Sequence, residues 1–228
     1  MRKHNVGNII FSSSAAVYGE PRQTPMTEEH RVLPVNAYGI NHISLRYLNA
    51  AGAAGNLGED HHPETHLIPV VLKAALANDG SKVKIFGSDY PTPDGTCVRD
   101  YVHVRDIAQA HVLALNKLQT LTSNPAAAKA PHMNLLNRGR SPESAYNLGN
   151  GEGYSVRQVI EAARKITGAE IPSEYSPRRA GDPAVLVASS TKTRQDLGWQ
   201  PQVSKIDDII GSAWEWLRKH PGGYNADG

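Results

Sequence analysis

The sequence predicts an α/β fold, because short apolar segments with the pattern of strands alternate with segments of helical period. "NIIFSSS" (8–14) is an apolar run that ends in small hydroxyl residues, which is typical of a buried strand leading into a loop. "INHISLRYL" (40–48) alternates within a β-branched and aromatic run and predicts a second strand. Residues 19–34 between them are rich in Pro, Gly and charge and indicate a surface loop.

The middle of the chain continues this alternation. Residues 50–64 are glycine-dotted and predict a loop, whereas "THLIPVVLKAALAN" (65–78) carries apolar residues on one helical face. "KVKIFG" (82–87) and "VRDYVHV" (98–104) have the composition of strands, and a turn-rich segment, 88–96, separates them.

The rest of the chain predicts three helices and an insertion. Asp106 is expected to cap the helix "IAQAHVLALNKL". Residues 120–143 have no clear period and predict a surface insertion. Residues 144–168 predict a strand, a glycine turn and a helix that Ser155 caps, and the last helix should stop at Pro221.

Composition excludes several classes of protein. The 24 basic and 22 acidic residues nearly cancel, and a net charge of +2 gives no basic face for nucleic acid. Cys97 is the only cysteine, so no disulfide framework exists and a reducing compartment fits best. No run approaches the roughly 18 apolar residues of a membrane span. We expect a soluble cytoplasmic protein that binds neither nucleic acid nor membrane.

Two motifs resemble ligand-binding sites, but each has a simpler structural explanation. "GNGEG" (149–153) follows a strand and opens a helix, yet Tyr154 stands where a dinucleotide fingerprint needs its third glycine, so a tight turn is favoured. His61, His62 and His66 are clustered, but the sequence offers them neither second-shell partners nor a carboxylate at ligand spacing. We expect solvated loop histidines and no metal site.

Several polar residues are better candidates. Guanidinium groups suit phosphate oxygens because their fork is planar and always charged, so Arg99 and the Arg178–Arg179 pair could bind an anion. A solvated arginine pair remains the alternative for the latter. Ser14 and Tyr18 follow the carboxyl end of a predicted strand, the edge where open α/β sheets bind ligands.

Seven segments that run in order across nearly the whole chain resemble the UDP-glucose 4-epimerase family of extended short-chain dehydrogenases/reductases. The long central segment is the most specific, and the shorter ones would be weak alone. The segments are "FSSSAAVYG", "NAYG", "LRYLNAAGA", "THLIP", "IFGSDYPTPDGTCVRDYVHVRDIA", "YNLGNGEGYSV" and "PRRAGDPA". A dehydratase or decarboxylase of the same superfamily is a weaker alternative.

The resemblance implies an incomplete Rossmann-like parallel sheet plus a smaller mixed α/β substrate domain. Residues 1–55 would be the remnant of the NAD-binding domain, with 98–119 packing on it. Residues 56–228 would be mainly the UDP-sugar-binding domain and would include the insertion 120–143. The family also implies a homodimer.

The resemblance further implies NAD as cofactor and the interconversion of UDP-glucose and UDP-galactose through a 4-keto intermediate. Ser14 would hydrogen-bond the reacting hydroxyl, Tyr38 would be its base, and Leu48 would pack near the nicotinamide, so that these three are also the cofactor-binding candidates. Eight residues would line the UDP-sugar site, Lys84 and Phe86 through their backbones at uracil and the two arginines at the pyrophosphate. They are Asn49, Leu67, Lys84, Phe86, Arg99, Tyr101, Arg179 and Asp182.

The sequence departs from this family in two places. The glycine-rich strand–turn–helix that holds the NAD pyrophosphate has no counterpart here, and we expect the chain to be truncated at its N-terminus. The lysine that follows the family's tyrosine by four residues is missing too, as if its helix had been deleted in frame. A second alignment takes the Tyr-Gly from a later loop of the family and would remove the catalytic tyrosine altogether; the upstream "PVNA" favours the first.

The missing lysine matters because tyrosine has a pKa of about 10, and lowering it to near 7 requires roughly 4 kcal/mol. His42 stands where the lysine would be. On a helix it would lie about 6 Å from Tyr38, but on the predicted strand about 13 Å away. We therefore expect an epimerase of low or no activity; the alternatives are a non-catalytic nucleotide-sugar-binding remnant and an unstable fragment. Leu186, a bulky residue near the sugar by family, weakly disfavours N-acetylated hexoses.

Overall fold

In the computed structural model, which describes residues 8–14, 18, 23–29, 41–123 and 144–224, strands and helices alternate as predicted. The strands are β1 (Asn8–Ser14), β2 (Asn41–Tyr47), β3 (Asn49–Ala51), β4 (Val83–Phe86), β5 (Val98–Arg99), β6 (Tyr101–His103), β7 (Ala145–Leu148), β8 (Tyr154–Ser155), β9 (Ser173–Ser176) and β10 (Val185–Leu186). The helices are α1 (Leu67–Ala77), α2 (Val104–Ser123), α3 (Val156–Thr167), α4 (Thr191–Leu197) and α5 (Ile206–Lys219).

A parallel sheet in the order β1-β2-β7 forms the first layer. Alternation along β2 buries Ile43 and Leu45 on the face that α2 covers, and Ile107, Ala110 and Trp199 belong to the same core cluster. The α/β class and the incomplete Rossmann-like parallel sheet are thus confirmed. Strand β1 lies at the sheet edge within the described residues, and Phe11 on it is 57% exposed.

A second core lies between α1, α3, α5 and β4. Buried aliphatic residues from all four elements meet there, because each helix carries its apolar residues on one face. Strand β4 pairs in parallel with β9, which the sequence analysis did not predict. The residues of this core include Ile68, Val71, Leu72, Val83, Ile85, Val159, Ile160, Ile209, Ile210 and Trp216.

Two small sheets connect these layers. They show that one prediction about the strands is wrong. Residues 98–104 were expected to form one strand, but the chain divides at Asp100. Strand β5 lies between β10 and β8, whereas β6 pairs in parallel with β3. The division arises because the Asp100 side chain turns into the interior, where it binds backbone N–H groups.

Two further expectations about α2 are wrong. The helix begins at Val104, so Asp106 lies in its first turn and does not cap it. The Asp106 carboxylate is buried and accepts hydrogen bonds from the backbone N–H groups of Gln202 and Val203 instead. The helix also continues to Ser123, so residues 120–123 are helical; residues 124–143 lie outside the described part.

Helix α3 begins as predicted. The Ser155 side chain accepts a hydrogen bond from the Gln158 backbone N–H (3.1 Å), and the Gln158 side chain accepts one from Ser155 N–H (2.8 Å), which completes a capping box. Ser155 also bonds the Asp94 carboxylate, so the cap ties the helix to the 88–96 loop.

Helix α5 and the residues after it support the loop that precedes α1. The Trp216 indole N–H donates to the Asn56 carbonyl (3.2 Å). The Tyr224 hydroxyl receives the Gly58 N–H (2.8 Å), and the Tyr224 backbone N–H donates to Asp60 (3.0 Å). A Cβ at Gly58 would lie 2.1 Å from the Trp216 ring, so only glycine fits there.

The domain boundary at residue 55 stays a prediction. Strand β7 and Trp199 pack in the first core although both fall in the segment assigned to the second domain. No helix in the described ranges combines the length and apolar character that a membrane crossing requires.

We expect Ser155→Ala to lower the free energy of unfolding by about 1–2 kcal/mol, because the substitution removes the cap and one partner of Asp94. Urea denaturation measures the change. Ser173→Ala, on exposed β9, is the matched control and should change stability by less than about 0.5 kcal/mol. Equal stability of the two variants would contradict the capping argument.

Candidate active site

A cavity of about 350 Å³ opens beside β3 and the start of α1. Four of the predicted residues line it: Leu48, Asn49, Leu67 and Tyr101. The Asn49 amide donates to the Asp100 carbonyl (2.9 Å), which fixes that side chain. Burial raises the pKa of Tyr101, so its hydroxyl stays protonated and serves as a donor rather than a base.

A cluster of charged residues adjoins this cavity through Arg99, whose charge acts on the Tyr101 hydroxyl. Arg99, two residues from Tyr101, forms a partly buried ion pair with Asp182. The Arg179 guanidinium stacks 4.0 Å over the Phe86 ring, and the Asp182 backbone N–H donates to the Arg179 carbonyl (3.3 Å). The structure therefore brings four of the predicted residues together as a second group.

The remaining predicted residues are distributed as follows. Lys84 is exposed on β4, two residues before Phe86. Ser14 ends β1 in register with Tyr47, so Ser14 and Leu48 share the carboxyl edge of the first sheet. Tyr38 lies outside the described residues. Leu48 and Leu186 both pack against the buried pair Tyr18 and Met26.

His42, weighed above as a substitute for the missing lysine, lies on strand β2 as the sequence predicted. Its Nε2 lies 3.1 Å from the Ser144 hydroxyl. Residues 38–40 lie outside the described residues, so the separation of His42 from Tyr38 stays a prediction.

Sequence reasoning missed Asp100. The carboxyl group is fully buried and accepts hydrogen bonds from the backbone N–H groups of Asn150 (3.0 Å), Gly151 (3.4 Å) and Ala188 (3.3 Å). Burial raises its pKa to about 7, although these N–H groups act to lower it. The sequence signal that could have identified Asp100 was an acidic residue inside an apolar strand pattern.

The glycine turn 149–153 does not form a phosphate cradle. The N–H groups of Asn150 and Gly151 are bound to Asp100, and a Cβ at Gly149 would lie 2.5 Å from that carboxylate. A Cβ at Gly153 would collide with Val98, so these glycines permit close packing. This turn therefore does not fit the pyrophosphate of NAD, and the assignment of Ser14 and Leu48 to its nicotinamide end stays a prediction.

The expectation that no carboxylate accompanies the clustered histidines is not met in the folded loop. Glu59 and Glu64 lie beside His61 and His66, and one ligand atom of each of these four residues lies within 4.8 Å of the others. Their separation along the chain did not reveal this, because the loop has no helical or strand period.

Residues 1–127 match the NAD dependent epimerase/dehydratase family. The chain belongs to this family.

Within it, the relatives are UDP-glucose 4-epimerases. The protein of that name from Halalkalibacterium halodurans is 43% identical over 247 residues, covering 100% of this chain and 68% of the relative. The one from Lactobacillus helveticus is 45% identical, covering 98% of this chain and 68% of the relative. The alignment with the first relative is 247 positions long, whereas this chain has 228 residues. The difference of 19 positions means that the relative has residues without a counterpart here.

Solved structures of UDP-glucose 4-epimerases also resemble this chain. A crystal structure of a UDP-glucose 4-epimerase superposes with a TM-score of 0.83 at 43% identity, covering 99% of this chain and 68% of that one. The Bifidobacterium longum enzyme in complex with NAD+ and UDP gives a TM-score of 0.79 at 38% identity, covering 98% of this chain and 67% of that one.

We expect Asp100→Asn to flatten the pH dependence of stability between about pH 4 and pH 7. The folded-state pKa is raised from 3.8 to about 7, so the folded chain keeps a proton that the unfolded chain releases. The contribution of this group is full at acid pH, falls as the pH rises and is constant above about pH 7. The asparagine also places an amide N–H₂ against N–H donors, which lowers overall stability.

Urea unfolding at about pH 5 and about pH 8 measures the difference in slope between variant and parent. Glu152→Gln removes the same charge from the exposed part of the same turn and should leave the parent slope unchanged. A parent-like slope in Asp100→Asn would show that this carboxyl does not carry the predicted pH dependence.

Proposed function

We propose that this chain binds UDP-glucose and UDP-galactose and interconverts them by inverting C4, the activity for which its relatives are named. The observation that carries the proposal is the adjacency of two groups. An apolar cavity lined by Asn49 and Tyr101 adjoins Arg99, which belongs with Arg179 to the second group of predicted residues. A nucleotide sugar has the matching chemistry, a polar hexose joined to a doubly charged diphosphate.

The two arginines suit the pyrophosphate in different ways. Arg179 has no salt-bridge partner within the described residues, and its stacking on Phe86 orients the guanidinium plane. Arg99 is 13% exposed and is held by Asp182, which keeps a charged fork in place at low entropic cost. Planar guanidinium groups bind phosphate oxygens in a bidentate manner. Lys84 and Phe86 would contact the uracil through their backbones.

Proton transfer would fall to Ser14, at the carboxyl end of β1, and to Tyr38. Ser14 would hydrogen-bond the 4-hydroxyl, and Tyr38 would accept its proton. Ser14 and Leu48 would hold the nicotinamide end of NAD, and the chemistry that NAD would supply there is reversible hydride transfer at C4. Leu48 would exclude water beside the nicotinamide, and Leu186, which packs on the same Tyr18–Met26 pair, would narrow the sugar end.

We expect turnover by this chain to be slow. The lysine that would hold the tyrosine pKa down is not four residues after Tyr38, and the longer alignment with the relative fits a deletion inside the chain. Residues 1–55 with 98–119 would form the cofactor side and 56–228 the substrate side. A homodimer in the cytoplasm completes the proposal.

Alanine at Arg99 or at Arg179 should weaken UDP-glucose binding about tenfold to a hundredfold, because each removes a charge-assisted hydrogen bond to phosphate. Calorimetric titration of the 228-residue chain measures the effect. Arg178→Ala is the matched control, since its guanidinium is paired with Asp89 and exposed. An equal loss in all three variants would mean that general positive charge, not this site, binds the nucleotide.

Titration with NAD alone separates cofactor from substrate binding. Binding of UDP-glucose without NAD would support the substrate site and place the chain among non-catalytic nucleotide-sugar binders. Failure of both ligands to bind would overturn the proposal.

With NAD supplied, conversion of UDP-galactose to UDP-glucose should be measurable, slow, and abolished by Tyr38→Phe, because phenylalanine cannot take a proton. Coupled oxidation of the UDP-glucose product reports the rate. Tyr175→Phe, on exposed β9, controls for loss of a surface tyrosine and should keep the parent rate. A Tyr38→Phe variant as fast as the parent would remove Tyr38 from the mechanism.

A further inference from the structure

The loop before α1 gathers four potential metal ligands. Glu59, His61, Glu64 and His66 each offer one ligand atom, and these atoms all lie within 4.8 Å of one another. His66 Nδ1 is 3.0 Å from Glu64 Oε1 and 3.9 Å from Glu59 Oε1, and His61 Nδ1 is 4.0 Å from the same Glu59 oxygen. The two imidazole rings face each other with centroids 5.1 Å apart.

Glu64 gives an independent indication of a missing partner. Its side chain is only 7% exposed, so the carboxylate is largely withdrawn from water. Oε1 accepts the backbone N–H groups of Thr65 (2.8 Å) and His66 (2.7 Å), which fixes the carboxylate toward the cluster. Oε2 is buried and has no hydrogen-bond partner in the described part of the chain. A buried carboxylate oxygen without a partner is unfavourable unless something binds it.

We propose that Glu59, His61, Glu64 and His66 form a binding site for a divalent transition-metal ion of the zinc class. Two imidazole nitrogens with two carboxylates are a donor set that zinc accepts and that magnesium and calcium, which favour all-oxygen sites, do not. Tetrahedral zinc at about 2.0–2.2 Å from each ligand holds them roughly 3.3 Å apart. The pairs at 3.9 Å and 4.0 Å therefore need a contraction of about 0.6–0.7 Å, the His66–Glu64 pair at 3.0 Å needs a slight expansion, and the other pairs lie within 4.8 Å.

The loop is built to allow this contraction while keeping its frame. Glu59, His61 and His66 are between 43% and 55% exposed at their side chains, so they can rotate. The ends of the loop are fixed, because Gly58 and Asp60 bind Tyr224, and His66 adjoins the first residue of α1. The metal would join Glu59 to His66 and so rigidify the mouth of the cavity that both residues line.

The test uses the 228-residue chain stripped of metal by a chelator. Zn²⁺ binding is measured by calorimetry, and Co²⁺ is used as a second probe because its visible absorption reports coordination geometry. We expect one ion per chain and a strong visible band typical of four-coordinate cobalt. His61→Ala and His66→Ala should each weaken Zn²⁺ binding at least about tenfold, and Glu64→Gln should do the same while keeping the oxygen that receives the backbone N–H groups.

His62→Ala is the matched control, because His62 lies in the same loop but is 72% exposed and faces Asp60. It should keep parent affinity, and circular dichroism confirms that each variant is folded. Equal weakening by His62→Ala, a weak six-coordinate cobalt spectrum, or no Zn²⁺ binding at millimolar concentration would each overturn the proposal. The result does not depend on nucleotide binding or turnover, so it can succeed or fail separately from the proposed function.

Discussion

Asp100 occupies the point at which four segments of the chain meet. Its carboxylate accepts N–H groups from the turn after β7 and from Ala188, two residues after β10, while its carbonyl accepts the Asn49 amide. Because β5 ends and β6 begins on either side of it, its burial directs Arg99 toward Asp182 and Tyr101 toward the cavity. The candidate site therefore depends on a buried carboxyl group at the position where the chain changes sheets between two candidate binding residues.

The electrostatics of the site follow from the same arrangement. Arg99 is compensated by Asp182, and Asp182 also lies 3.7 Å from the buried Cys97 thiol, whose pKa burial raises. Arg179 keeps its charge beside an aromatic ring instead of a carboxylate. The Arg99 guanidinium is thus held rigidly by a carboxylate that balances its charge. The Arg179 guanidinium is oriented by an aromatic ring and has no salt-bridge partner among the described residues. This combination suits an anion that must both bind and dissociate. Removal of Asp182 would be expected to make the Arg99 side chain mobile and to increase the net positive charge around it.

The sequence predicted the elements that carry a strong local signal. Strand β2 alternates through Ile43 and Leu45, and α3 has both halves of a capping box, so each was found with accurate bounds. Strand β9 was missed because its residues are polar and mostly exposed, and β10 because it has only two residues; the pairing of both depends on distant partners. Asp106 was assigned to a cap for a similar reason, since the N–H groups that it binds lie nearly a hundred residues away. The adjacency of Glu59 and Glu64 to the histidines arises from loop geometry, for which no sequence period exists.

The support of the 53–60 loop by the C-terminal segment has a consequence for how the site is made in the cell. The contacts of Asn56 with Trp216 and of Gly58 with Tyr224 join residues 160 and 166 positions apart. At a translation rate of about 5–20 residues per second, the loop leaves the ribosome roughly 8–30 seconds before its supports are synthesised. The earlier part of the chain therefore has one wall of its cavity unsupported until Trp216 and Tyr224 have been synthesised.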